Sequence, residues 1–156
     1  MAMNAVTADS FAGLVALALE RMAFLITEPV DQAAAEVLVK AAAHAAIEIK
    51  GSERHVLCVS ATPGLVREVA SGMMGMDADE IDVDDHGRAT VGELANILGG
   101  ELVMLMTSGE GEMALGLPRE VTDEEAGQLL DRASENGFSC VVGSDACMLL
   151  VAVHCA

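Results

Sequence analysis

Aromatic residues are nearly missing from this chain of 156 residues, which has three Phe, no Trp and no Tyr. The core must therefore be filled by Ala, Val, Leu and ten Met, and Met73, Met74 and Met76 read as packing residues at helical spacing. Basic residues are also scarce, 8 against 25 acidic ones for a formal charge of −17. That balance excludes nucleic acid, whose phosphates need Lys and Arg, and an anionic membrane surface. A partner with a basic or metal-bearing face fits better. No apolar run approaches the ~20 residues of a membrane span. The N-terminal apolar stretch is broken at Glu20–Arg21 with no Lys or Arg before it, so a signal peptide is not expected and a cytoplasmic location is. The four cysteines (Cys58, Cys140, Cys147, Cys155) form no CxxC pair. Three lie in apolar runs, as buried free thiols do, and that compartment disfavours disulfides. His154 and Cys155 are adjacent, and on a strand they point to opposite faces.

What is present is a globular composition, 53% hydrophobic and 21% charged, long enough for one domain over residues 1–156. Residues 9–27 carry a helical apolar pattern with an Asp/Ser start, and Pro29 marks its stop. Residues 32–46 are ambiguous between helix and strand. Two β-rich runs, 44–50 and 54–61, flank a turn at "GSE" and predict a hairpin. Thr62 and Pro63 then open a helix as cap and first-turn residue. After an acidic run comes a long helix, about 88–106. Residues 108–112 read as a loop, "MALGLPREV" as a strand up to Pro118, and "TDEEAGQLLDRAS" as a short helix or structured insert. A closing hairpin turns at Ser144–Asp145. The order of elements predicts an α+β fold, an antiparallel sheet with long helices packed on one face.

The long helix contains "VGELANILGG", whose Asn96 and Gly100 cost helix stability relative to Ala. Stepping by ~100° per residue, Val91, Leu94, Leu98, Leu102 and Leu105 form the core stripe. Glu93, Asn96 and Gly100 cluster on the opposite face, with Ile97 and Met104 beside them. Gly100 removes side-chain bulk, so another backbone can approach closely. A solvated face with a tolerated Asn and Gly is the plain alternative, and the wheel alone leaves both open.

A second pattern crosses the same residues. "DVDDHGRATVGE" overlays the calcium loop D-x-[DN]-x-[DN]-G-x5-E, with Asp82, Asp84, Gly87 and Glu93 at its key positions. His86 falls where a hard oxygen ligand is needed, and Ala89 stands where a larger apolar residue is expected. The simpler reading puts Asp82, Asp84 and Asp85 just before the helix N-terminus, where negative charge complements the dipole. His44, His55 and His86 have no metal-spaced partner.

"GELANILGG" resembles the signature helix of the CheC/CheX group of chemotaxis phosphatases, roughly E-L-A-N-M-I-x-G-N. The hairpin "IEIKGSERHVLCVSAT", the helix "PGLVREVASGMMG" and the later strands agree with it in order. Glu101 stands where the family often has Asn, and the single E-x-x-N copy resembles the one-site CheX type. The resemblance implies a phosphatase acting on the aspartyl phosphate of a phosphorylated CheY-like response regulator. Asn96 would orient the attacking water, Glu93 would dock the regulator's lysine, and Ile97, Gly100 and Met104 would form contact surface. It implies no cofactor in this chain, the divalent metal belonging to the regulator, and a homodimer. A non-catalytic adaptor of the same fold is the alternative, and a calcium-binding module a distant third.

Overall fold

Two antiparallel hairpins build the middle of the sheet in the computed structural model, which describes residues 6–31, 33–107, 112–144 and 146–156. In the first, β2 (Ala43–Lys50) and β3 (Arg54–Ala61) pair from Ala43↔Ala61 to Lys50↔Arg54. In the second, β6 (Gly137–Ser144) and β7 (Cys147–Cys155) pair from Gly137↔His154 to Ser144↔Cys147. Both runs are rich in Val, Ile, Leu and Ala and are bounded by turn residues, as the sequence predicts. Asp145, in the second turn, and residues 108–111 of the expected loop lie outside the described residues.

The hairpins join through β3 and β7, antiparallel with His55 opposite Cys155 and Ala61 opposite Leu149. Short strands finish the edges. β1 (Pro29–Val30) adds to β6, while β4 (Ala114–Leu115) and β5 (Arg119–Glu120) both add to β2, giving the order β1-β6-β7-β3-β2-β4. The strand expected up to Pro118 is the short β4, and β5, on the far side of Pro118, is a strand not expected from the sequence.

One face of the sheet carries α1 (Ala8–Ala23), α3 (Pro63–Met74) and α4 (Val83–Thr107). Their buried residues Phe11, Leu19, Leu65, Val69, Leu94 and Leu98 form one core with Ile47, Leu57, Val151 and Val153 of the strands. Phe11 meets Phe138 edge-on, ring centroids 5.6 Å apart. The other face carries α2 (Ala34–Lys40) and α5 (Asp123–Asn136), which cover smaller apolar clusters including Val37, Val56, Leu129 and Leu150.

Helix ends follow local chemistry. Thr7 and Ser10 form a reciprocal capping box at the start of α1, and Thr62 caps α3 ahead of Pro63. α1 stops at Ala23, earlier than Pro29 suggests, because Phe24 adopts the left-handed conformation (φ 57°) and closes the last turn. The ambiguous stretch 32–46 divides between α2 and the start of β2. Gly72 lets α3 cross the end of α1, since a Cβ there would lie 2.1 Å from the Ala23 carbonyl oxygen. α4 has the length and composition to cross a bilayer, with mean hydropathy 1.3 over its most apolar window. Its apolar stripe, however, faces β2 and β3.

Candidate functional site

α4 begins at Val83, not near 88. Asp82 accepts the Asp84 N–H at its Oδ1 (3.0 Å), and its backbone carbonyl accepts from the His86 amide (2.8 Å). The acidic run is therefore a helix cap and first turn, favourably placed at the positive end of the dipole. His86 Nδ1 also lies 2.9 Å from the Asp82 carbonyl, which can only accept, so Nδ1 carries the proton. This geometry disposes of the calcium loop. Residues 83–93 are continuous helix, which spreads Asp82, Asp84 and Glu93 along an axis rising about 1.5 Å per residue instead of wrapping them around an ion.

The core stripe of α4 is Val91, Leu94, Ala95, Leu98, Gly99, Leu102 and Met106. Leu105, expected in that stripe, is 37% exposed. The buried side is turned toward Gly99 and Met106, because Gly99 sits under the Leu115 and Ile47 side chains at the β4–β2 edge. Glu93 and Asn96 are both exposed, and neither is tied by a hydrogen bond or ion pair to another described residue. One turn apart on the same face, their Cβ atoms stand about 5–6 Å from each other. Gly100 continues that face, and a Cβ there would meet nothing within 4 Å, so the chain's own packing does not require glycine. Met104 is 61% exposed. Ile97 is half-buried and packs against the core, so it offers only part of its surface.

Beside Glu93 runs a shallow groove lined by Ala70, Met73, Met74, His86, Ala89 and Thr90. Met73 and Met74 are 41% and 50% exposed, which corrects their reading as core. The stripe of α3 through Leu65, Val66, Val69 and Ala70 is buried, but the helix runs on past its cover. Periodicity gives the direction of a side chain and not where its cover ends. Flexible thioethers next to a polar pair make an adaptable contact surface.

Residues 43–142 match the family model for chemotaxis phosphatase CheX. The chain belongs to that family. No curated protein matches it. Its fold is similar to that of the chemotaxis protein CheX from Vibrio vulnificus, at 14% identity and TM-score 0.68, covering 94% of this chain and 96% of the other. It is also similar to CheX from Desulfovibrio desulfuricans, at 17% identity and TM-score 0.62, covering 96% and 98%. A third neighbour is the CheX–CheY–BeF3–Mg+2 complex from Borrelia burgdorferi, at 15% identity and TM-score 0.58, covering 96% and 98%. The α+β architecture is thus that of the CheX family, and the matched segment includes Glu93, Asn96 and both groove methionines.

Two further clusters in this CheX-family chain were invisible to spacing. His44 is buried between Ser60 and Asp123, with Nδ1 2.7 Å from Ser60 Oγ and Nε2 2.8 Å from Asp123 Oδ1. The carboxylate can only accept, so Nε2 donates to it and Nδ1 accepts from Ser60. The order is that of a nucleophile–base–acid relay, but Ser60 is 1% exposed and has no room for a substrate. The trio clasps the first turn of α5 to β2 and β3. The second cluster is Glu53, His55 and Cys155, whose potential donor atoms all lie within 4.8 Å of one another. Burial holds His55 below the ordinary histidine value against the pull of Glu53, and partial burial and Glu53 push the Cys155 thiol up. Cys58 and Cys140 are pushed up to about 12 by burial, so neither is a nucleophile at neutral pH.

Proposed function

We propose that this chain hydrolyses the aspartyl phosphate of a CheY-like response regulator, with Asn96 orienting the attacking water and Glu93 pairing with a lysine of the regulator. The observation that carries the reading is the pair itself. A carboxylate and a carboxamide, with no bonding partner among the described residues, project from the middle of the long helix of a CheX-family fold. The Asn96 amide offers both donor and acceptor, so it can fix a water in one orientation. Phosphoryl transfer asks the protein mainly for positioning and charge stabilisation. The water oxygen bonds to phosphorus as the bond to the aspartyl oxygen breaks, leaving inorganic phosphate and a free carboxylate.

The divalent metal belongs to the regulator, and this chain brings no cofactor to the reaction. Met73, Met74, Gly100, Met104 and the exposed part of Ile97 form the surrounding contact surface. Strong net acidity, −17, suits a lysine- and metal-bearing pocket and disfavours nucleic acid and anionic membranes. The whole of residues 1–156 acts as one cytoplasmic unit, as a homodimer.

The test is the decay of a phosphorylated cognate regulator with and without this protein. Parent protein accelerates loss of phosphate. Asn96→Ala slows the catalysed rate by about 100-fold or more while still binding, and Glu93→Gln chiefly weakens binding. Equal rates for parent and Asn96→Ala would overturn the catalytic assignment. Binding by the parent without acceleration identifies the adaptor instead.

A further inference from the structure

The trio at the turn end of the β2–β3 hairpin does not belong to the α4 site. His55 lies on β3, Cys155 faces it across the β3–β7 ladder, and Glu53 comes from the turn before β3. His55 is 2% exposed, and neither ring nitrogen has a hydrogen-bond partner among the described residues. A buried imidazole left in that state is costly, because its polar atoms have given up water without replacement. Glu53 stands just beyond hydrogen-bond length of the ring, and the Cys155 thiol donates to the same carboxylate at the longer distance that sulfur allows. Nε2 is 3.7 Å from Glu53 Oε2, and Cys155 Sγ is also 3.7 Å from that oxygen.

Those spacings are close to the ones that donors sharing a single cation adopt. With zinc–oxygen and zinc–nitrogen bonds of ~2.0–2.2 Å and zinc–sulfur bonds of ~2.3 Å, donors at tetrahedral angles lie roughly 3.3–3.6 Å apart. Two separations are 3.7 Å and the third lies within 4.8 Å, so closing takes up to about an ångström, reached by side-chain rotation at Glu53, which is exposed, and Cys155, which is half-buried. The donor set selects the ion. Thiolate and imidazole favour zinc over calcium or magnesium, which prefer oxygen alone. Exposure on the Glu53 side leaves an entry path and room for a fourth ligand.

We propose that Glu53, His55 and Cys155 form a zinc-class metal site that pins the β2–β3 turn to the last residues of β7. The site is separate from the phosphatase reading and stands or falls independently of it. The sequence concealed it because Glu53 and Cys155 are 102 positions apart, and only the β3–β7 register brings them together.

The experiment uses the whole protein, stripped with a chelator and titrated with Co²⁺ as a spectroscopic probe and with Zn²⁺ in calorimetry. One equivalent binds, Co²⁺ gives a thiolate charge-transfer absorption, and Zn²⁺ raises Tm. Cys155→Ser abolishes the absorption and weakens Zn²⁺ by about 100-fold or more, since even outer-shell losses cost 10–100-fold. Glu53→Gln and His55→Gln also weaken it, whereas Cys58→Ser on the opposite sheet face leaves the absorption intact. If buried His55→Gln fails to fold, the solvent-reaching Cys155→Ser and Glu53→Gln carry the test. Absence of the thiolate absorption in the parent overturns the site, as does its survival in Cys155→Ser.

Discussion

Thr62 shows how much one side chain can hold that its neighbours in sequence do not announce. Its hydroxyl caps α3 by accepting the Leu65 N–H (3.4 Å), accepts the Met148 N–H (2.9 Å) and donates to the Ala146 carbonyl (2.7 Å). The cap was legible from "TP"; the bonds to the start of β7, 86 residues away, were not. Thr62→Val keeps the volume and removes the hydroxyl, so it costs about 2 kcal/mol, read as a shift of the urea midpoint. An unshifted midpoint would show that the link is replaced by solvent. The same division holds elsewhere. Glu93 and Asn96 were legible because a helix wheel is local geometry. Leu105, Met73 and Met74 were misread because burial depends on what another element covers. His44 with Ser60 and Asp123, and His55 with Cys155, needed the strand register.

At the scale of the element, hairpins and helices were readable from alternation, turn residues and caps, while α1's early stop at Phe24 and α4's early start at Val83 came from backbone closure and the Asp82 cap. The second helical layer was half legible: α2 opens with no side-chain cap bond, and α5 reads as a short helix or structured insert to which the sequence assigns no face. α4 itself supports a comparison between two of its glycines. A Cβ at Gly92 or at Gly100 would meet nothing within 4 Å, so Gly92→Ala and Gly100→Ala should each stabilise the protein by up to about 1 kcal/mol. Gly100 lies within about 40° of both Glu93 and Asn96 on the wheel, whereas Gly92, about 40° from Asn96, is about 100° from Glu93. Gly100→Ala should therefore raise Tm and yet lower regulator dephosphorylation, while Gly92→Ala raises Tm with activity kept. Full activity in Gly100→Ala would show that the glycine is not clearance for a docked partner.

For the whole molecule, buried thiols set an alkaline limit. Cys58 and Cys140 ionise at about 12 in the folded chain against an ordinary 9.0. The unfolded chain thus loses these protons first as pH rises, and stability falls wherever the unfolded state binds fewer. This contribution is fully present below about pH 9 and is lost progressively between about 9 and 12. Urea midpoints across that range should decline, and less steeply in Cys58→Ala compared with its own neutral-pH value. A parallel decline would assign the loss to other groups. The position of α4 has a consequence for the site. Glu93 and Asn96 have about three turns of helix on either side, and Leu94, Ala95 and Leu98 between and beside them are fully buried. Backbone amides there cannot exchange hydrogen by fraying; they wait for the fold to open as a unit. Distant substitutions such as Thr62→Val should consequently change how many molecules are competent at a given moment, and leave each competent molecule as capable as before.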